Sequence, residues 1–148
     1  MRLWHQSLIH YLDDKRLLGQ HRECCALRGK GWGRKHSTVD YVFNYEPAYL
    51  YCYHMLVLHE MHGYRHFNVD SRWYNRLYRG HHMPKYNSLL AAGSYYYSNN
   101  DVTIYNEHND KYLRECLLNL KAKGAELVNG KTIEEMLIEL DLKEHLVQ

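Results

Sequence analysis

Gln20-His21-Arg22-Glu23-Cys24-Cys25-Ala26-Leu27-Arg28 is the stretch on which the reading of this 148-residue chain turns. With Leu17 and Leu18 ahead of it, the positions Leu17, Leu18, His21, Cys24, Cys25 and Arg28 recur at three- and four-residue spacing. That is the signature of an amphipathic helix. Asp13 or Asp14 can cap its start and Gly29 can end it. Glu23 is the one acid between Lys15 and Asp40, among the cations Arg22, Arg28, Lys30, Arg34 and Lys35. Successive helical residues point about 100° apart, so Arg22 and Glu23 flank one edge of a site. An exposed Arg-Glu pair is common and nearly neutral in energy. The pair alone therefore identifies nothing, and its surroundings must.

Behind the helix, Gly29, Gly31 and Gly33 alternate with Lys30, Trp32 and Arg34, and Lys35 and His36 follow. Alternate glycines let backbone N–H groups and cations approach phosphates closely. The nucleotide-loop pattern GxxxxGK[ST] is absent. Trp32 can stack on a base or anchor the turn. Ahead of the helix, Trp4, Leu8, Ile9 and Leu12 make residues 1–12 a segment packed on the body. Further on, Arg72-Trp73-Tyr74-Asn75-Arg76-Leu77-Tyr78-Arg79 interleaves cations with aromatics. Such a stretch neutralises phosphates and stacks on bases, or else plugs the edge of a core beneath arginine stems.

Three further segments read as helices. Residues 48–61 are almost wholly apolar or aromatic after Pro47, which marks a buried central helix. Residues 107–123 place Tyr112, Leu113, Cys116, Leu117 and Leu120 on one face before Gly124. Thr132 with Glu135 forms a capping box for a last helix. The expected fold is mainly α: one compact helical domain over 1–148, with three principal helices, irregular connections and a short extra C-terminal helix in the appended segment 125–148.

Composition sets the class. The 45% hydrophobic content is enough for a core, and no apolar run approaches the ~20 residues of a membrane span. Fifteen Tyr against two Phe favours wet aromatic surfaces. The cysteines, Cys24, Cys25, Cys52 and Cys116, include no CxxC pair and fit neither a zinc ribbon nor a disulfide framework, which points to a reducing, cytoplasmic setting. His59-Glu60-Met61-His62 lacks the HExxH spacing of a zinc protease. Net charge is only +2, but residues 1–36 carry eight Lys/Arg against three Asp/Glu, and residues 101–148 carry six against ten. A polyanion would meet the N-terminal side.

In ordered sequence, Met1-Arg2-Leu3, Leu17-Leu18, His21-Arg22-Glu23, Arg28 and Arg34-Lys35-His36 together resemble the pyrimidine-dimer DNA glycosylases of the phage endonuclease V type. The resemblance covers about the first quarter of the chain. It implies a DNA glycosylase and AP lyase acting on damaged double-stranded DNA as a monomer, with no metal or other cofactor and no membrane. It implies an N-terminal amine as nucleophile, a base opened out of the stack and Glu23 as the catalytic carboxylate. It also implies phosphate contacts from Arg22 and Arg28, extended by Arg2, Lys30, Arg34 and Lys35. The residue pattern itself, not the resemblance, adds Trp32, Arg72 and Arg76 as DNA-binding positions. The chain departs from the family pattern at its start. Arg2 is too large for methionine trimming, so Met1 carries the amine.

The chemistry accounts for an amine at a chain terminus. A lysine, with a pKa near ~10.4, is almost wholly protonated at neutral pH, whereas an α-amine near ~7.7–8.0 is roughly a tenth to a fifth neutral without tuning. Rival readings are a non-catalytic nucleic-acid-binding protein and a metal-dependent nuclease built on histidines.

Overall fold

The computed structural model describes residues 2–29, 38–81, 83–86 and 103–147. Among them there is no strand. Four α-helices carry the fold: α1 (Asp14–Arg28), α2 (Pro47–His59), α3 (Asp110–Ala122) and α4 (Ile133–Val147). The mainly α class holds, and the last helix is fifteen residues long, as long as the first.

Local chemistry sets the helix ends. Asp13 caps α1, its side chain accepting the Arg16 N–H at 2.9 Å. Gly29 closes α1 with a negative φ, so left-handed freedom is not its role. A Cβ there would stand 3.1 Å from the Arg79 carbonyl oxygen, and the glycine lets residues 78–80 lie against the helix end. Pro47 takes the first turn of α2, where its missing N–H costs no hydrogen bond. Asn109 caps α3 by accepting the Tyr112 N–H, and Thr132 Oγ1 accepts the Glu135 N–H at the start of α4, while the Glu135 carboxylate takes the Thr132 hydroxyl rather than its backbone N–H.

α2 is the central helix, with Leu50, Cys52, Tyr53, His54, Met55, Val57 and Leu58 all buried. It packs directly on α1, and α3 packs on α4. One hydrophobic cluster joins Leu17, Cys24 and Leu27 of α1 to α2, to Leu113, Leu117 and Leu120 of α3, and to Ile133, Met136 and Leu140 of α4. The N-terminal segment belongs to the same core. Leu3, Leu8 and Leu12 are fully buried, and Gln6–Tyr11 forms a 3₁₀ turn. The connector after α1 holds a second 3₁₀ turn, Asp40–Asn44. α2 runs on into a π-helical turn, Glu60–Tyr64, and a 3₁₀ turn, Ser71–Tyr74, follows.

Most described tyrosines keep some exposure, but two depart from the expected surface place. Tyr53 and Tyr105 lie wholly inside, where a phenylalanine would ordinarily sit. Tyr53 shows why the hydroxyl is useful there: its single O–H is shared between the Trp4 carbonyl at 2.5 Å and Gln20 Oε1 at 2.8 Å. No helix among the described residues is long and apolar enough to cross a membrane.

Candidate active site

One face of α1 presents Arg16, Gly19, Gln20, Arg22 and Glu23 to a cleft of about 320 Å³. Arg2 and Trp4 of the N-terminal segment, Lys15, and Lys123 just past α3 complete the lining. Among the described residues that line it Glu23 is the one acid, with the cations Arg2, Lys15, Arg16, Arg22 and Lys123, and Arg2 also lies 4.0 Å from Glu115. The cations differ in freedom. Arg16 is paired with Asp13 at 2.7 Å. The Arg2 guanidinium lies 5.9 Å from the Trp4 ring centre and 5.7 Å from that of Tyr112. Arg22 is exposed.

Glu23 itself is half-buried, and its Oε2 is buried without a hydrogen-bond partner among the described residues. A buried oxygen left in that state costs about 1–3 kcal/mol, more if charged. Burial pushes the carboxyl above its ordinary value, and the positive charge of the amino terminus pulls it the other way. Glu23 is thus a carboxyl that lines the cleft with one of its oxygens buried and unpartnered among the described residues.

The N-terminal segment reaches this cleft under restraint. Gln20, 1% exposed, accepts the Trp4 N–H at 2.6 Å through Oε1 and donates Nε2 to the Arg2 carbonyl at 3.0 Å. The Tyr112 hydroxyl donates to the Leu3 carbonyl at 2.5 Å. Residues 2–4 are thus tied to α1, α2 and α3.

The opposite face of α1 is built differently. Arg28, expected to grip a phosphate, is 3% exposed. Its Nη1 donates to His54 Nδ1 and to the Trp73 carbonyl, both at 2.9 Å. Its Nη2 donates to the carbonyls of Asn75, at 2.9 Å, and Tyr78, at 2.7 Å. Four of its N–H donors are therefore committed internally, and its Cζ lies over the Trp73 ring, 4.9 Å from the centre. Residues 75–80 lack a regular hydrogen-bond ladder, so their carbonyls need outside donors, and a guanidinium fork supplies several at once. Arg28 fastens that stretch to the helices. It does not present a cation to a ligand in this arrangement.

Its neighbours have fixed tautomers. Arg28 can only donate, so His54 Nδ1 accepts, and His54 Nε2–H donates to His21 Nδ1 at 2.9 Å. Cys25 Sγ lies 3.7 Å from both His21 ring nitrogens, and the three side chains offer ligand atoms within 4.8 Å of one another. A metal fits this cluster poorly. The His54 lone pair is taken by a guanidinium, where a metal-bound histidine ordinarily donates its other N–H to an acceptor. Burial lowers both imidazoles, reinforced at His21 by the charges of Arg22 and Arg28 and at His54 by that of Arg28, and burial pushes the Cys25 thiol up to about 12.

The remaining expected positions are scattered. Arg72 is exposed, chelates Asp70 and lies over Tyr78, and Arg76 is exposed. Trp73 and Tyr78 pack together, 4.8 Å between ring centres, as the plug of the core edge. Met1, Lys30, Trp32, Arg34 and Lys35 lie outside the described residues. Sequence reasoning missed Trp4, Lys15, Arg16, Gln20 and Lys123. Lys15, Arg16 and Gln20 stand eight, seven and three positions before Glu23, so helical spacing from Glu23 could have found them. Lys123 belongs to the acidic third of the chain, and no local pattern ties it to Glu23.

The family model for pyrimidine dimer DNA glycosylase matches residues 1–75, just over half of the chain, and so takes in α1, Gln20, Glu23 and Arg28. No curated protein and no solved structure matches.

Proposed function

The chain belongs to the pyrimidine dimer DNA glycosylase family, and on that premise we propose that it excises damaged pyrimidines through an N-terminal imine and then cuts the strand as an AP lyase. The α-amine of Met1 attacks C1′ of the damaged nucleotide, the glycosidic bond breaks and the pyrimidine leaves with the electron pair. Loss of the amine proton and opening of the sugar ring give the imine. Removal of a C2′ proton then expels the 3′-phosphate by β-elimination, and water releases the amine. Glu23 stabilises the cationic sugar and carries the protons in these steps. Arg22, Arg2 and Lys123 hold the flanking phosphates, with Lys15 beside them. Lys30, Arg34 and Lys35 extend the grip, and Trp32, Arg72 and Arg76 are the outlying contacts. A distorted step is the least costly to open, so lesion choice draws on duplex deformability.

The observation that carries this reading is the buried, unpartnered Oε2 of Glu23 in a cation-lined cleft that the start of the chain also lines. A carboxylate there has a place for a cationic partner, and an amine, an imine or an oxocarbenium ion supplies one. Burial raises the carboxyl above its ordinary value, the direction that favours its protonated form.

Borohydride added during reaction with abasic or ultraviolet-damaged duplex DNA tests the mechanism. The expected result is a covalent protein–DNA adduct that maps to the N-terminal peptide. Salt-sensitive binding with no adduct on any damaged DNA would leave a non-catalytic nucleic-acid binder.

A further inference from the structure

We propose that Gln20, by holding residues 2–4 beside Glu23, is the positioning residue for the reacting amine, with Tyr53 and Tyr112 completing the hold on that segment. The inference rests on the amine chemistry proposed above.

Residues 2–4 form no helix or strand, so their backbone groups have no regular partners. Side chains replace them. Gln20 takes the Trp4 N–H and the Arg2 carbonyl, Tyr53 the Trp4 carbonyl and Tyr112 the Leu3 carbonyl. Three successive carbonyls are thus held from three different helices. Packing alone would not require this. Leu3 and Trp4 could be buried by apolar neighbours, and a buried amide head contributes only if it is hydrogen-bonded.

The residue type matters. One planar amide offers an acceptor to Trp4 and a donor to Arg2 from the same head. An ionised glutamate has no donor, and a methionine has neither useful group. Gln20 also stands three positions before Glu23 on the same face of α1, and both line the cleft with Arg2. Peptide planarity leaves only a few backbone rotations between the held Arg2 carbonyl and the amine of the preceding residue. The helix that carries the acid therefore also fixes the approach of the nucleophile. Misplacement of a reacting group by about 1 Å can cost on the order of 100-fold in rate.

The test compares wild type, Gln20→Met and Tyr53→Phe on one abasic-site duplex, by single-turnover borohydride trapping and by equilibrium binding without borohydride. Gln20→Met should trap at least tenfold more slowly, with affinity within twofold of wild type. Tyr53→Phe should show a smaller loss of the same kind. In Gln20→Met the Trp4 amide should lose hydrogen-exchange protection while the α1 amides keep theirs. Trapping at the wild-type rate in both variants overturns the proposal. So does a slowing matched by lost affinity or by the unfolded fraction, which is what a merely structural role gives. Should Gln20→Met fail to fold, Tyr53→Phe decides by the same criteria. Absence of an adduct with wild type removes the amine mechanism and this inference together. Normal wild-type trapping with unaffected variants removes the positioning role alone.

Discussion

Two faces of one helix put their charged groups to opposite uses. On the Arg28 face of α1, the polar atoms are matched internally: Arg28 to three carbonyls and His54, and His54 to His21. On the Glu23 face, an acid keeps a buried oxygen open and exposed Arg22 stands beside it. Only four residues lie between Glu23 and Arg28, and both are charged. The difference teaches that residue type and spacing do not decide whether a charge serves the fold or a ligand. Whether neighbouring chain segments complete its hydrogen bonds decides it.

Replacing each acid or base in turn should break the comparison if it is wrong. Glu23→Gln should lower strand cleavage about 1,000-fold, equivalent to about 4 kcal/mol in the barrier, with little change in DNA affinity. The same variant should raise stability near neutral pH by about 1 kcal/mol, a rise in Tm of about 2–4 °C, because the open oxygen no longer carries charge. Retained cleavage would clear Glu23 of a catalytic role.

Arg28→Met should behave in the reverse sense. Loss of the guanidinium leaves the Trp73, Asn75 and Tyr78 carbonyls and His54 without their donor, and should cost about 3 kcal/mol in urea unfolding. Its folded fraction should keep the wild-type salt dependence of DNA binding, since the side chain is not offered to phosphate. A stable Arg28→Met protein with a shallower salt slope would reverse the assignment.

Acidification should separate the two faces by sign. Burial lowers His54, and lowers His108 to about 3 with His5 as a second cause. The unfolded chain takes up these protons near pH ~6.5 while the folded chain resists, so the stability they confer is present above that value and lost as pH falls. Each should remove about 1.4 kcal/mol per pH unit below it in denaturant titrations. Glu23 runs the other way. Its folded value is raised, so the folded chain binds that proton more tightly, and this group favours folding more as pH falls through its folded value. The Glu23→Gln variant should therefore show a steeper acid loss than wild type.

The smallest effect concerns Arg22. Arg22→Ala should weaken binding evenly across DNA sequences and make the slope of log affinity against log salt shallower by about 0.9. An unchanged slope would mean that Arg22 holds no phosphate.

The sequence by itself settled a good deal. Periodicity, Pro47, Gly29, the Asp13 cap and the Thr132–Glu135 pair located the four described α-helices, because those signals act within a few residues of each other. The family pattern at His21-Arg22-Glu23 pointed to the acid that the cleft exposes. Only the tertiary structure decided the fate of Arg28, since the carbonyls that occupy it come from positions 73, 75 and 78, about fifty residues downstream. It likewise brought Lys123 to the cleft and assembled Gln20, Tyr53 and Tyr112 around residues 2–4. Such partners are chosen by chain packing across long separations, and a polar side chain carries no mark in its own neighbourhood of which backbone groups will arrive to meet it.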